Sequence, residues 1–445
     1  MLGRERVQAV LAEAIRRSPA EQTEVVLVAH DTALTRFANS AIHQNVAESN
    51  AEVRVRAVVG QRTGVVVGNS LEPAALASAA EQATAIARLQ PENPAFPGLA
   101  PPRPIAPVQA FAEATAACSP DERARAVKLV CDLAAEQALV AAGAYSTAVR
   151  ELAVANSLGL FAYEATTRAH FTTVVMGDDS SGYAERAAVD LSAIDVEALA
   201  REAVGKAVRS RGPVAAPPGE YRVVLEPYAV EEMLAYLGYI GLGALALEEG
   251  RSFLCGRLGE PLAAPSVHLA DDGRDPRGLP LAFDFEGTPK ERVVFFDGGV
   301  ARGVVYDRQT AARAGRASTG HALPAPNTAG PLPTNLVLAP GGASAEDLLR
   351  GVERGIWVTR FWYVNVVHPT RTVLTGMTRD GTFLVERAEI ARPIRNLRFT
   401  TSVLDALASV EAIGREPLLI QSWLGGSLVP ALRVGRFTFS GATEF

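Results

Sequence analysis

The first half of this chain carries one order of patterns twice, and that repetition limits its possible folds more than any single motif. Phe37-Ala-Asn39-Ser40 leads into alternating apolar and polar residues over 51–59, a turn at Gly60-Gln-Arg-Thr-Gly64, another strand, and a helix from about 73 to 88. Val154-Ala-Asn156-Ser157 likewise precedes an alternating stretch at 166–176, a turn at Asp178-Asp-Ser-Ser-Gly182, a strand through Val189, and a helix from about 195 to 209. Alternation of period two marks strands with one buried face, and the Asp, Ser and Gly clusters mark hairpins. A repeat of this kind reports architecture before any fold is named. It predicts an α+β N-terminal domain with an internal pseudo-repeat.

Two proline-rich breaks divide the rest. Residues 91–104 hold too many prolines for a helix or an interior strand and read as an extended surface connection between the two units. Residues 212–219, Gly-Pro-Val-Ala-Ala-Pro-Pro-Gly, separate the repeated half from the second half of the chain. At 445 residues the chain exceeds the usual size of one core, and the breaks predict an N-terminal domain over 1–211, a linker over 212–219 and a C-terminal domain over 220–445. The second half opens with a helix over 227–247 and continues as short strands punctuated by glycine, at 293–296, 300–306, 357–367, 382–394 and 432–439. Helices near 345–354 and 401–412 open on the N-cap candidates Ser344 and Thr400 or Thr401. The expected fold is α+β in two domains, the second a mostly antiparallel sheet or barrel-like body with packed helices.

Composition excludes several functions. A net charge of -6, with lysine only at 128, 206 and 290, argues against a nucleic-acid footprint, which draws on clustered basic residues. Three cysteines, Cys118, Cys131 and Cys255, are an odd number without metal-ligand spacing and read as reduced thiols; the apolar neighbours of Cys255 mark it as buried packing. The N-terminus leads into an amphipathic helix, and no apolar run is long enough to span a bilayer. The expected location is the cytoplasm, with neither membrane nor nucleic acid as a partner. No glycine-rich phosphate loop opens a predicted helix, which disfavours a nucleotide enzyme.

The helix from 227 carries the most pointed chemistry. Val230, Met233, Leu234, Leu237 and Gly241 fall on one stripe, and two acids, Glu231 and Glu232, ride on this core helix with Tyr236 a turn further on. They read as candidate ligands for a hard cation, or as acids near a helix start that favour its dipole. Around this helix lie Thr35-Arg-Phe-Ala-Asn39-Ser-Ala-Ile-His43-Gln-Asn45, Gly250-Arg-Ser-Phe-Leu-Cys-Gly-Arg-Leu-Gly259, Asp271-Asp272-Gly273, Phe283-Asp-Phe-Glu286-Gly287, Ser318-Thr319-Gly320 and Gly355-Ile-Trp-Val-Thr359. In that order, over nearly the whole length, the chain resembles the TldD/PmbA (TldE) family of metallopeptidases, also called modulators of DNA gyrase. The resemblance implies a zinc motif, His-Glu-x-x-x-His, whose three named positions fall on Glu231, Glu232 and Tyr236. It implies a third ligand, a cysteine, in a turn that falls on Ser422-Trp423-Leu424-Gly425-Gly426. Zinc is held by imidazole and thiolate while a glutamate deprotonates its water, and here no ligand position keeps a suitable donor. No histidine lies between His170 and His268, so no shift of register restores the motif.

Other groupings have quieter readings. Asp284 and Glu286 could project as the carboxylate pair of a glycosidase, and Asp271 with Asp272 invites the same thought, but acids beside glycine are more often turn formers. Ser318 and His321 suggest a nucleophile and base, without an orienting acid or a nucleophile elbow; their proline- and glycine-rich surroundings read instead as a loop lining a cleft. His43, His268 and His368 are scattered. The strand Gly355-Ile-Trp357-Val-Thr-Arg360-Phe-Trp362-Tyr-Val-Asn365 reads as core or as a sheet edge that adds a peptide strand. Trp357, Arg360, Trp362, Asn365, Ser318 and His321 are the candidates for peptide or partner contact. Together these readings predict a PmbA/TldE-like, zinc-free homologue that binds unfolded peptide and pairs with a TldD-type subunit or with itself, zinc residing only in such a partner. Two alternatives stand beside it: an autonomous metal-dependent hydrolase with atypical ligands, and a homodimeric peptide-binding scaffold.

Overall fold

The computed structural model describes residues 1–443. Helix α1 (Arg4–Arg17) leads into β1 (Gln22–Ala38), β2 (Ala41–Val59) and β3 (Arg62–Gly68), then α2 (Pro73–Leu89). After one turn of helix, α3 (Glu113–Ala116), the order returns as α4 (Pro120–Ala135), β4 (Val140–Asn156), β5 (Phe161–Met176), β6 (Ser181–Ala188) and α5 (Val196–Arg209). The six strands form one antiparallel sheet ordered β3-β2-β1-β4-β5-β6, so the two units join through β1 and β4. The same device packs each unit's last helix. A Cβ on Gly64 of β3 would stand 2.2 Å from the Ala83 carbonyl oxygen of α2, and one on Gly182 of β6 would stand 2.0 Å from that of Ala203 on α5. Glycine on the strand facing alanine on the helix lets the two backbones touch.

Period two sorts the sheet's faces. Val25, Leu27 and Phe37 of β1 point to the helices, while Val26 of β1 and Leu152 and Val154 of β4 point the other way, onto Ala282 and Phe283. The repeated asparagine serves two ends. Asn39 and Ser40 take left-handed φ values of 51° and 56° in a two-residue hairpin. Asn156 instead accepts from the Leu158 and Leu160 amides through Oδ1 and donates to the Ala100 carbonyl at 2.7 Å. That bond helps to bury Leu99 and Ala100, so the proline-rich connection is extended but pinned to the body.

The second half begins with β7 (Gly219–Leu225), α6 (Pro227–Gly241) and α7 (Ala244–Glu248). Short strands come next: β8 (Leu269–Asp271), β9 (Val293–Asp297), β10 (Val300–Ala301), and, after α8 (Arg308–Arg313), β11 (Asn335–Leu338). Beyond α9 (Ala345–Leu349) come β12 (Arg354–His368), β13 (Val373–Glu386), β14 (Glu389–Pro393) and β15 (Leu397–Ser402). The chain closes with α10 (Val403–Ala408), β16 (Val410–Ile413), β17 (Leu418–Gln421), β18 (Gly426–Val429) and β19 (Leu432–Ala442). Because β12 pairs with β7 on one side and β13 on the other, β12-β7-β19-β15-β13 closes on itself as a five-stranded barrel. Phe361, Phe399 and Phe437 fill it, with ring centroids 4.5–5.5 Å apart. A six-stranded sheet, β10-β9-β8-β11-β18-β17, lies beside the barrel, and α6 packs between β12 and the β17–β18 hairpin. The α+β class and barrel-like body expected from sequence are both present.

Several boundaries differ from the sequence reading. The helix over 227–247 breaks at Leu242–Gly243, where Ala244 N–H bonds the Val305 carbonyl and Val305 N–H bonds that of Leu242; a Cβ on Gly243 would meet the Pro331 oxygen at 2.2 Å. The strand over 300–306 is only Val300–Ala301, and 382–394 is a hairpin turned by Arg387 and Ala388 at φ 53° and 64°. The helix over 401–412 is Val403–Ala408, capped by Ser402 and not by Thr400 or Thr401, and α9 stops at Leu349 behind the Ser344 capping box. Cys255 is exposed, its thiol 3.5 Å from the Leu247 carbonyl, and is not buried packing. Among the described residues no helix is long and apolar enough to cross a membrane.

Candidate functional site

Helix α6 begins where β7 leaves the barrel. Pro227 supplies its first residue, and Glu226 before it is held by Lys206 Nζ at 2.5 Å, Trp357 Nε1 at 2.6 Å and Thr359 Oγ1 at 3.2 Å. Glu231 and Glu232 therefore sit in the second turn, past the reach of dipole or cap, and that sequence reading falls. Val230, Met233, Leu234 and Leu237 are buried as their stripe predicts.

Glu231 is 5 % exposed, and its Oε1 has no hydrogen-bond partner; the Ser427 hydroxyl is also buried and unpartnered. Burial pushes the Glu231 carboxyl up to about 8; the nearby Ser422 and Ser427 hydroxyls oppose this only in part, and Glu232 and Glu185 add to it. At neutral pH it is a protonated acid. Glu232 is half-buried and pushed up to about 6 by burial, with the Arg360 guanidinium pulling down and Glu185 pushing up. Tyr236 donates to the Val364 carbonyl at 2.6 Å, and its ring lies 5.7 Å from that of Trp423.

The fold thus brings α6 against the turn joining β17 and β18. Ser422 N–H bonds the Gly425 carbonyl at 2.9 Å, and a Cβ on Gly425 would stand 2.1 Å from the Thr334 oxygen. The N-terminal sheet supplies a third wall. On β6, Tyr183 donates to Glu185 at 2.5 Å; His170 of β5 meets the same carboxylate at 2.9 Å, and Gln421 N–H donates to it at 3.2 Å. Arg360 lies over the Tyr183 ring at 4.1 Å and bonds Asp380 through Nε at 2.6 Å. Tyr183, Glu185 and His170 escaped the sequence reading, although polar residues at the inward positions of β5 and β6 were a signal of a lined cavity.

The other candidates disperse. Trp357 braces Glu226 at the foot of α6, while Trp362 is partly exposed beneath Arg379 and Asn365 is exposed, bonding the Tyr363 carbonyl at 3.1 Å. The β12 strand is interior over Gly355–Val358, flanked by β7 and β13, and pairs only with β13 from Arg360 onward. Ser318 and His321 are buried. His321 Nε2 lies 2.8 Å from Asp271 and Nδ1 lies 2.9 Å from Thr319 Oγ1. Burial and Lys290 hold the imidazole below its usual range, while the neighbouring His321 and Lys290 outweigh burial to hold Asp271 well below the carboxylate range. Asp284 closes its own turn, accepting from the Glu286, Thr288 and Ala322 amides at 2.8–2.9 Å. Asp284 is thus a turn former, whereas Asp271 is not: at the end of β8 it accepts from the Thr334 and Asn335 amides at 2.7 Å and pairs with His321.

The donor set does not suit zinc. A protonated carboxyl and a phenol bonded to backbone stand at the positions where imidazole is needed, the Ser422–Gly426 turn offers no thiolate, and His170 is engaged by Glu185. Among the described residues no group of three or more His, Cys, Asp or Glu side chains is placed to hold a metal ion.

Models for PmbA/TldA metallopeptidase domain 1, central domain and C-terminal domain match residues 23–87, 102–211 and 218–441. A metalloprotease of Methanothermobacter thermautotrophicus is 27% identical over 229 residues, 50% of this chain and 49% of that protein. A metalloprotease TldD homolog of Haemophilus influenzae is 26% identical over 262 residues, 56% and 54% of the two chains. The chain thus spans about half the length of the curated relatives it matches. Among solved structures, TldE from Thermococcus kodakarensis superposes with a TM-score of 0.90 at 21% identity, covering 98% of this chain and 100% of that one. A protein described as a modulator of a DNA gyrase from Thermotoga maritima gives 0.84 at 20% identity, covering 94% and 95%.

Proposed function

This chain belongs to the PmbA/TldA metallopeptidase family, and from that premise we propose that it is a member that does not cut by itself. It holds an unfolded peptide and assembles with a TldD-type zinc peptidase subunit, or with a second copy of itself, so that the partner's zinc performs the proteolysis. The supporting observation is the state of α6. A catalytic zinc site needs deprotonated ligands around an open position and an ionised base beside the bound water. Here the first position is Glu231, a buried acid that keeps its proton at neutral pH, and the second imidazole position is Tyr236, whose hydroxyl is committed to Val364. Glu232 stands where the base belongs but faces Arg360 and Glu185, with no metal-bound water to activate.

The three walls around α6, from the N-terminal sheet, the barrel and the Ser422–Gly425 turn, suit a receptor. Aromatic faces at Trp423, Trp362 and Tyr239, each at least 36% exposed, offer apolar contact near its mouth. Co-expression with a His-Glu-x-x-x-His partner should yield a complex whose proteolysis stops when the partner's first histidine is replaced. Proteolysis by this chain alone, stopped by a chelator, would overturn the proposal.

A further inference from the structure

The face of the N-terminal sheet that looks toward the C-terminal half carries two arginines with no role in the fold. Register places His30 opposite Arg150 and Arg150 opposite Thr166, with Ala148 opposite Arg168 in the next row. Residues two apart on a strand share a face, so Arg150 and Arg168 are diagonal neighbours there. They line a cavity of about 490 Å³ whose other walls include Leu281, Phe285 and Leu424, and which reaches Gly425 and Gly426 of the turn beside α6. Arg150 is half-buried, and Arg168 is exposed.

Neither guanidinium has an ion pair or a hydrogen bond among the described residues. Arg150 lies 5.4 Å over the Phe285 ring, and the acid acting on it, Glu164, is taken by the Ala282 amide at 3.0 Å. Arg168, exposed at the surface, has no acid acting on it among the described residues, and partial desolvation lowers its pKa. Two like charges on one face repel, and Arg150 gives up hydration with only the Phe285 ring in return. Among the described residues no anionic group offsets that repulsion by pairing with either guanidinium; an entering anion would. The volume is that of a small-ligand pocket, enough for the end of a peptide and too little for a folded element.

We propose that Arg150 and Arg168 form a carboxylate receptor, so that the cleft takes an apolar stretch of peptide bearing a free carboxylate and holds that group between two guanidinium forks. The carboxylate is either the peptide's C-terminus or an Asp or Glu side chain. This rests on the peptide-holding reading above and specifies its substrate: from the arginines, the chain runs past Leu424 and Gly425 toward the α6 site.

The test is fluorescence anisotropy on the full chain with one labelled apolar peptide in three forms: free C-terminal acid, C-terminal amide, and amide with an internal glutamate. The free acid, the glutamate form or both should bind about tenfold or more tightly than the plain amide. Arg150→Gln with Arg168→Gln should remove that difference and leave the affinity for the amide unchanged. A gain from the internal glutamate alone places the recognised carboxylate on a side chain, a gain from the free acid alone places it at the terminus, a gain from both shows that either serves, and each of these outcomes supports the receptor. The gain should also shrink with added salt in the unmodified protein, and Arg168→Gln alone, at an exposed position, should reduce it, so the test survives misfolding of the double variant. Equal binding of all three forms overturns the arginine assignment while leaving peptide binding intact. No binding of any form overturns both.

Discussion

Lys206 on α5 and Glu226 at the head of α6 meet 2.5 Å apart with both side chains buried. They join the repeated half of the chain to the helix that carries the family's site. Burial alone would depress the ammonium, but Glu226 and Glu202 more than offset it, and its pKa is raised. Removing one partner leaves the other charge buried and unpaired. Lys206→Met should therefore destabilise the protein by about 3 kcal/mol, read as a lower denaturation midpoint at unchanged m-value.

Glu231 sets a pH dependence. Its folded pKa, about 8, lies above the unfolded carboxylate value, so the folded state binds the extra proton between about pH 4.5 and pH 8. Stability is fully present below that window and declines as pH rises through it. Glu231→Gln should abolish the decline and stabilise the protein at pH 8 by on the order of 3 kcal/mol. A Glu231→Gln protein with the unmodified pH profile of melting would refute the assignment.

The repeat's two glycines make a contrasting pair with a third. Gly182→Ala would drive a Cβ to 2.0 Å from the Ala203 carbonyl and 2.6 Å from the Ala207 amide, so it should cost about 2–3 kcal/mol through forced separation of β6 and α5. Gly205, inside α5, has open space around it, so Gly205→Ala should stabilise by about 0.5–1 kcal/mol. Thermal melts of the two variants should move in opposite directions.

His321 separates a structural role from a binding one. Its ring joins Asp271 and Thr319 inside the protein, so His321→Ala should lower stability by about 3 kcal/mol. Peptide affinity of the folded fraction should stay the same. A variant that melts normally but binds peptide weakly would return His321 to the binding surface.

Local patterns carried much of this fold. The duplicated order around Asn39 and Asn156 foretold the paired units because hairpins and period-two strands are written in neighbouring residues. The α6 stripe was equally plain. Distance hid the rest. Barrel closure depends on β12 finding both β7 and β13, pairings between segments far apart in sequence that no local pattern encodes. For the same reason Glu231 could be named while its neighbours Glu185, Ser422 and Ser427 could not be assembled around it. His321 misled because a nucleophile-like Ser-Thr-Gly-His string looks the same whether its histidine faces a cleft or, as here, a buried aspartate.

The metal content of the protein expressed and purified alone, measured alongside its peptidase activity, tests the central claim most directly. The account predicts zinc far below one per chain and no cleavage of an unfolded peptide. One tightly held zinc per chain, with cleavage that a chelator abolishes and Glu231→Gln or Glu232→Gln removes, would contradict it.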